Sequence, residues 1–286
     1  MIAAAVKFLA RLLANPAAFV GAALLVAFLV MAAFAPQLAP FEPGTPNLRA
    51  PLAPPAFVGG PEQHLLGTDH LGRDILSRLI YGSRIALVVG FAGVTMAATI
   101  GITLGLLAGY FGGVLDNVIS RFIDTLLAIP NTILYLTVLG VFGPSLTVLV
   151  LVIGGIGWTT FARVVRAETL SVRNREFVEA ARALGQNTPI VLLRHVLPAV
   201  MAPIIVVATL NVATVIILEA SLSFLGLGVK PPTVTWGRML ADGRSYLATA
   251  WWLATFPGVF ITLLCLSLLF LGDRLRDMLD PRLRGR

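Results

Sequence analysis

The stretch REFVEAARALGQNTPIVLLRHVLPAV, from Arg175 to Val200, is unlike the sequence around it. The 286-residue chain is 57% hydrophobic and only 12% charged, yet here charges crowd around a run of alanines. Asn174 is placed to cap a helix, and Glu176 falls in its first turn, where a carboxylate suits the helix dipole. Arg175, Glu179, Arg182 and Gln186 recur at i, i+4, i+7 and i+11, which predicts one polar face. Phe177, Ala181 and Leu184 recur at i, i+4 and i+7, which predicts an apolar one. Gly185 stands where a C′ glycine ends a helix. Asn187 or Thr188, followed by Pro189, opens a second short helix. Leu197-Pro198 predicts a turn, because proline disfavours helical geometry in the residue before it. The pattern is a helix–Gly–helix elbow over 174–198. Ala180, Ala181 and Ala183 give it a low profile that another protein's backbone can approach closely. A helix that only floated among lipid headgroups would gain more from Leu, Phe or Trp.

The rest of the chain is built for a bilayer. Mean hydropathy is +0.90, and the charged fraction is half the roughly one quarter usual in soluble domains. Six apolar stretches, 17–36, 85–110, 125–143, 145–166, 201–223 and 252–272, reach or approach the roughly 20 residues a helix needs to cross the hydrocarbon core. The expected fold class is therefore an all-α polytopic membrane protein with six transmembrane helices. The first stretch follows Lys7 and Arg11 but exceeds a signal-peptide core in length, so it reads as a retained span. With both termini cytoplasmic, the inner segments hold 14 of the 21 Lys and Arg residues, the bias expected of inner loops. On that orientation Trp251 and Trp252 fit an outer aromatic belt, and the proline-rich segment 36–81 lies outside. Within it, Gly67, Thr68, Asp69 and Gly72 are turn and cap formers, and Asp74 to Tyr81 reads as a short amphipathic helix. Gly101, Gly105 and Gly109, spaced by four, offer a flat strip for a neighbouring helix. The division expected is 1–83, an N-terminal region with the first span and an extracytoplasmic segment; 84–273, a permease core holding the elbow; and 274–286, a cytoplasmic tail.

Several chemistries are missing from the sequence. The net charge of +7 is spread between apolar runs, with no basic block that would suit nucleic acid. The one cysteine, Cys265, sits in an apolar run and reads as a small buried hydrophobe. Lys7 and Lys230 are the only lysines, and neither belongs to a G-x-x-x-x-G-K-[ST] loop, so ATP could be hydrolysed only by a partner. His64, His70 and His195 form no H-E-x-x-H pattern, and no motif points to a metal or a cofactor. A membrane enzyme lacks its clustered catalytic set, and an ion-coupled carrier lacks an ionisable relay near the midplane. Glu219, inside the fifth span, lies 18 residues from Met201, or roughly 27 Å along a helix, close to the outer interface. It is expected to order the outer loop, paired with Arg84 or Arg238, rather than to touch cargo.

Glu179-Ala180-Ala181, Gly185 and Leu197-Pro198 together resemble the EAA loop of ABC importer permeases. The resemblance extends to LGTDHLGRDILSRLIYGSRIAL from Leu66, LAGYFGG from Leu107, LEASLSFLGLGVKPPTVTWGRML from Leu218 and GDRLRDMLDPRLR from Gly272. In this order and spacing they are similar to the C-type permease of dipeptide, oligopeptide and nickel importers. His195 stands where that family often has isoleucine, and would pack under the elbow. The resemblance implies a type I importer transmembrane fold and a heterodimer with a B-type permease. It also implies two cytoplasmic ATPase subunits below and an extracytoplasmic solute-binding protein above, in a bacterial inner membrane. It assigns ATPase docking to Glu179, Ala180, Ala181, Arg182, Gly185, Leu197 and Pro198, with Gly185 setting the angle between the two short helices. Closure of the ATPases on ATP would draw the elbows together and open the cavity outward. Peptides, glutathione-like solutes and metal chelates all remain open as cargo.

Overall fold

The computed structural model describes residues 12–279. Lys7, Arg11 and the arginines of the extreme tail, which entered the charge count, lie outside that range. The described residues form helices and loops, with one isolated bridge, Thr68 to Asp74, in the loop region.

Helix α1, Pro16–Ala33, begins with Asn15 as its cap: the Asn15 Oδ1 accepts from Ala17 N and Ala18 N at 2.9 and 3.2 Å. Pro16 then occupies a position where no donor is needed. A short turn, α2, covers Ala35–Leu38. Helix α3, Ile75–Phe111, is continuous over 37 residues. The segment 74–81 is therefore not a separate amphipathic helix but the first two turns of this rod, with Asp74 as its N-cap accepting from Ser77 N at 2.8 Å. The glycine strip packs as expected. A Cβ on Gly101, Gly105 or Gly109 would lie 2.5 to 2.8 Å from backbone and side-chain atoms of Trp158, Phe161, Ala162, Val165, Arg166 and Thr169. Those residues belong to α6, Leu146–Val172, so the two backbones pass almost in contact.

The third apolar stretch is not one straight span. It is a broken pair, α4 at Gly113–Ala128 and α5 at Asn131–Phe142, bent by 83°. Pro130 explains the break: it lacks an N–H and forces Ile129 into extended geometry, φ −97° and ψ 128°. The apolar run continues across the proline, which is why hydropathy alone reads it as one element.

Beyond the elbow, α9 covers Leu197–Phe224, α10 covers Trp236–Gly243 and α11 covers Trp252–Leu279. Among the described residues five helices are long and apolar enough to cross a membrane, or six if the broken pair counts as one span. Helices α3, α6, α9 and α11 enclose the main core, with α1 outside, lying on α11 where Gly21 meets the Ser267 carbonyl. Phe19, Val20, Val26, Leu29 and Val30 stay exposed on α1, the apolar surface a bilayer requires.

The loops divide between two ends of the bundle. At one, segment 36–74 folds into a lid with α10. Asp69 accepts from Arg73 Nε at 2.6 Å and Arg78 Nη1 at 2.8 Å, and His64 Nδ1 lies 2.9 Å from Asp74 Oδ1. Trp252 does not face a bilayer interface: it is buried, and its Nε1 donates to Thr68 O at 3.1 Å. Trp251 is exposed as a belt residue would be. Trp236 Nε1 donates to Leu79 O at 2.9 Å, and its ring packs edge-on against Phe28 and Phe260, tying α10 to α1 and α11. Glu219 is buried, at 2% exposed, but takes neither expected partner. It accepts from Ser223 Oγ at 2.6 Å, while Arg84 donates to the carbonyls of Ala32 and Ala33 and Arg238 pairs with Asp242. One helical turn away, Ser223 is nearer than either cation.

Candidate functional site

The elbow stands at the opposite end. Helix α7, Glu176–Ala183, starts from Arg175, whose backbone is extended at φ −79° and ψ 149° and whose side chain makes no capping bond. Asn174 therefore lies one residue outside the cap position expected of it. The far end of α7 closes as a Schellman motif: Gln186 N donates to Ala181 O at 3.2 Å and Gly185 N to Arg182 O at 2.9 Å. Gly185 sits at φ +77°, the left-handed region that side chains with a Cβ resist. Asn187 then caps α8, Thr188–Val191, through its extended backbone rather than its side chain.

Leu197-Pro198 makes no turn. Residues Leu192–Val196 form one π turn, with Leu197 N bonded to Leu192 O, and the chain runs on directly into α9. Proline's ring would collide with the carbonyl four residues back in a regular helix, and the wider turn removes that collision. Thr188–Phe224 is consequently one continuous 37-residue rod with the elbow at its head.

The faces of α7 also differ from the sequence expectation. Val178 and Ala181 point into the main core, with Val191 and Val196 beside them, and Ala181 is 4% exposed. Phe177 and Leu184 point away; Leu184 is 81% exposed. Both pairs are apolar, so periodicity alone could not decide which would be buried. The outward surface joins Phe177, Ala180, Ala183 and Leu184 to Glu176 and Glu179. Of the residues expected at the docking site, Glu179, Ala180, Arg182, Gly185 and Pro198 are exposed, Leu197 is half-buried and Ala181 is inside. Ala181 thus lets α7 sit close to its own chain.

Two contacts fix the elbow to the body, and a third braces it from within. Arg182 Nε donates to Tyr110 Oη at 3.1 Å, with the guanidinium 4.7 Å from the ring centroid. Arg173 Nη1 donates to Gly109 O at 3.0 Å, so both cations grip the last turn of α3. His195 Nε2 lies 2.8 Å from Gln186 Oε1 and bridges the glycine turn from beneath. Arg166 adds a double hydrogen bond to Asp116 on α4, one arm at 2.8 Å and the other between Nε and Oδ1. A force on α7 would meet α3 through Arg182 and pass into α9 through the continuous rod.

Asp124 and Arg163, which the sequence reading passed over, meet across α4 and α6 at 3.4 Å. The spacing of Asp116, Ser120 and Asp124 by four, opposite Arg163 and Arg166, was the available signal. Among the described residues no cluster of His, Cys, Asp and Glu could hold a metal ion.

Comparison with known proteins covers both parts of the chain. Residues 101–285 match the family of binding-protein-dependent transport system inner membrane components, and residues 6–55 match the N-terminal TM domain of oligopeptide transport permease C. A di/tripeptide transport system permease protein DppC of Pseudomonas aeruginosa is 41% identical over 272 residues, 95% of this chain and 90% of its own. The dipeptide transport system permease protein DppC of Escherichia coli K12 is 44% identical over 271 residues, 94% and 90% of the two chains. Among solved structures, a chain of the MetNI methionine ABC transporter in an inward-facing conformation superposes with a TM-score of 0.58 at 19% identity. It covers 71% of this chain and 96% of its own.

Proposed function

This chain belongs to the family of binding-protein-dependent transport system inner membrane components, and from that premise we infer that it is a permease subunit of an ATP-binding-cassette importer of short peptides. It is a transport component of the membrane, not an enzyme. The observation that carries the peptide reading is the near end-to-end similarity to permeases of dipeptide and di/tripeptide systems.

In our reading the chain pairs with a second, B-type permease, above two ATPase subunits and below a solute-binding protein. The elbow is the ATPase contact. What supports this is its surface: an exposed apolar patch, Phe177 with Ala180 and Leu184, rimmed by Glu176 and Glu179 and held by stiff attachments. Apolar residues that the fold leaves outward at a loop end suit a protein partner. The elbow end is then cytoplasmic, with both termini on that side, and the lid faces the binding protein. The segregation of loops into two ends fits that alternation. Arginines at the elbow end agree with its cytoplasmic placement.

Transport follows as differential binding. ATPase closure grips the elbow in one state of the bundle better than the other, and the helices tilt between inward and outward openings. Purification of the tagged chain from its own membranes should bring down ATPase subunits and a second permease. Vesicles holding that assembly should accumulate a dipeptide only with ATP and the binding protein present. Peptide uptake by this chain alone would overturn the reading.

A further inference from the structure

Two ion pairs join α4 to α6, and their exposures run opposite to what a lipid-facing surface would show. Nearer the elbow, Arg166 and Asp116 are 33% and 15% exposed. Further into the span, Arg163 and Asp124 are 60% and 62% exposed. Arg163 stands nine residues before the end of α6 at Val172, about 14 Å along the helix. Charges that face hydrocarbon lose exposure with depth, by pairing tightly or by reaching to the interface. Here the deeper pair is the more open one, with both charged heads accessible to a ligand.

Its surroundings are mixed: Thr125, Asn131, Thr132 and Thr160 are exposed on α4, α5 and α6, among the exposed apolar Phe122, Ile129 and Ile133. The span also breaks six residues beyond Asp124, bent by 83° where Pro130 interrupts it. Irregular backbone at membrane depth is tolerated where it lines a cavity, and interrupted spans place transporter binding sites. The pair itself is loose. Its 3.4 Å contact engages one nitrogen of the Arg163 fork and one oxygen of Asp124, leaving donors in a geometry made for a carboxylate.

We propose that Asp124 and Arg163 form a cargo subsite in the translocation path, a charge pair that opens to hold the terminal carboxylate and terminal ammonium of a short zwitterionic peptide. The inference rests on the peptide-importer reading above and assigns its contacts. Arg163 takes the carboxylate through its planar fork and Asp124 takes the ammonium, so one loose pair is exchanged for two. In the empty path the two side chains neutralise each other. Recognition of termini leaves peptide side chains unread, which suits a path for cargo of varied sequence.

The test uses the assembled importer in vesicles, with the parent chain as blank because its one cysteine, Cys265, is buried. Ala128→Cys and Thr160→Cys, one helical turn from Asp124 and Arg163 and exposed beside them, should react with a water-soluble, charged maleimide, and saturating Ala-Ala with the binding protein should protect both. Arg163→Gln and Asp124→Asn should each lower Ala-Ala uptake about tenfold or more, the equivalent of losing one good charge-assisted contact. Arg163→Lys should recover part of it, and the partner permease should still co-purify in every variant. Unprotected cysteines, labelling only by bilayer-dissolved reagent, or unchanged uptake in the Gln and Asn variants would overturn the subsite. Loss of the partner permease would instead place the pair in the subunit interface and overturn it too. Absence of dipeptide uptake by the parent assembly would sink the peptide reading, and this inference with it. Parent uptake with unprotected cysteines would sink the inference alone.

Discussion

At the scale of single residues, Gly185 carries the most consequence. Its φ of +77° and the Schellman bonds around it set the angle at which α7 leaves the rod. Nothing lies within 4 Å of the place a Cβ would occupy, so the objection to a larger residue is backbone strain, not collision. Gly185→Val should cost about 1–2 kcal/mol locally and reorient α7 without disturbing insertion. Peptide uptake per ATP hydrolysed should fall well below the parent value, while Gly185→Asn, whose side chain tolerates this conformation, should fall less. Equal coupling in parent and Val variant would refute the role. The glycine was legible in the sequence, as was the polar face of α7. The choice between Val178/Ala181 and Phe177/Leu184 as the buried pair was not. The two pairs overlap around the helix, Ala181 lying only about 40° from Phe177 and Val178 about 100°, and the selection is made by the core of other helices that meets Val178 and Ala181.

At the scale of elements, the pair α3–α6 depends on three glycines that let one backbone rest on another. A Cβ on Gly105 would come within 2.7 Å of the Ala162 carbonyl oxygen and the Val165 Cβ. Gly105→Leu should therefore force the helices apart and cost about 1–3 kcal/mol or more. The purified assembly should show a lower apparent melting midpoint by tryptophan fluorescence, since Trp158 packs beside the strip; an unchanged midpoint would show that the contact is softer than its geometry. Hydropathy revealed every span because apolar content is a property of each residue alone. The break at Pro130 and the π turn before Pro198 were obscured for a common reason. A proline can end a helix, bend it or be absorbed by a wider turn, and the outcome depends on whether neighbours fill the gap. At Pro130 the next segment leaves at 83°, while on either side of Pro198 Val191, Val196 and Val200 are anchored in one core and the rod stays whole.

At the scale of the molecule, lid and elbow occupy opposite ends, and the orientation proposed above, with the elbow in the cytoplasm, is open to direct test. Glu62→Cys in the lid should be labelled by an impermeant maleimide added to intact cells, whereas Glu176→Cys should need broken membranes; the reverse result would invert the topology. Asp124 and Arg163 escaped the sequence reading because each, taken singly, looks like a charge at the end of a span. Only the packing of α4 against α6 makes them a pair. The π turn at Leu192–Val196 has a wider reach than its five residues. An inserted residue shifts the azimuth of everything beyond it by about 100°, so this turn acts as a phase setting between the rod and its head. Deleting His195 would restore regular pitch, bring the Pro198 ring against a carbonyl, and swing Phe177 and Leu184 around the axis of α9. The elbow would survive as a fold and point at the wrong neighbour.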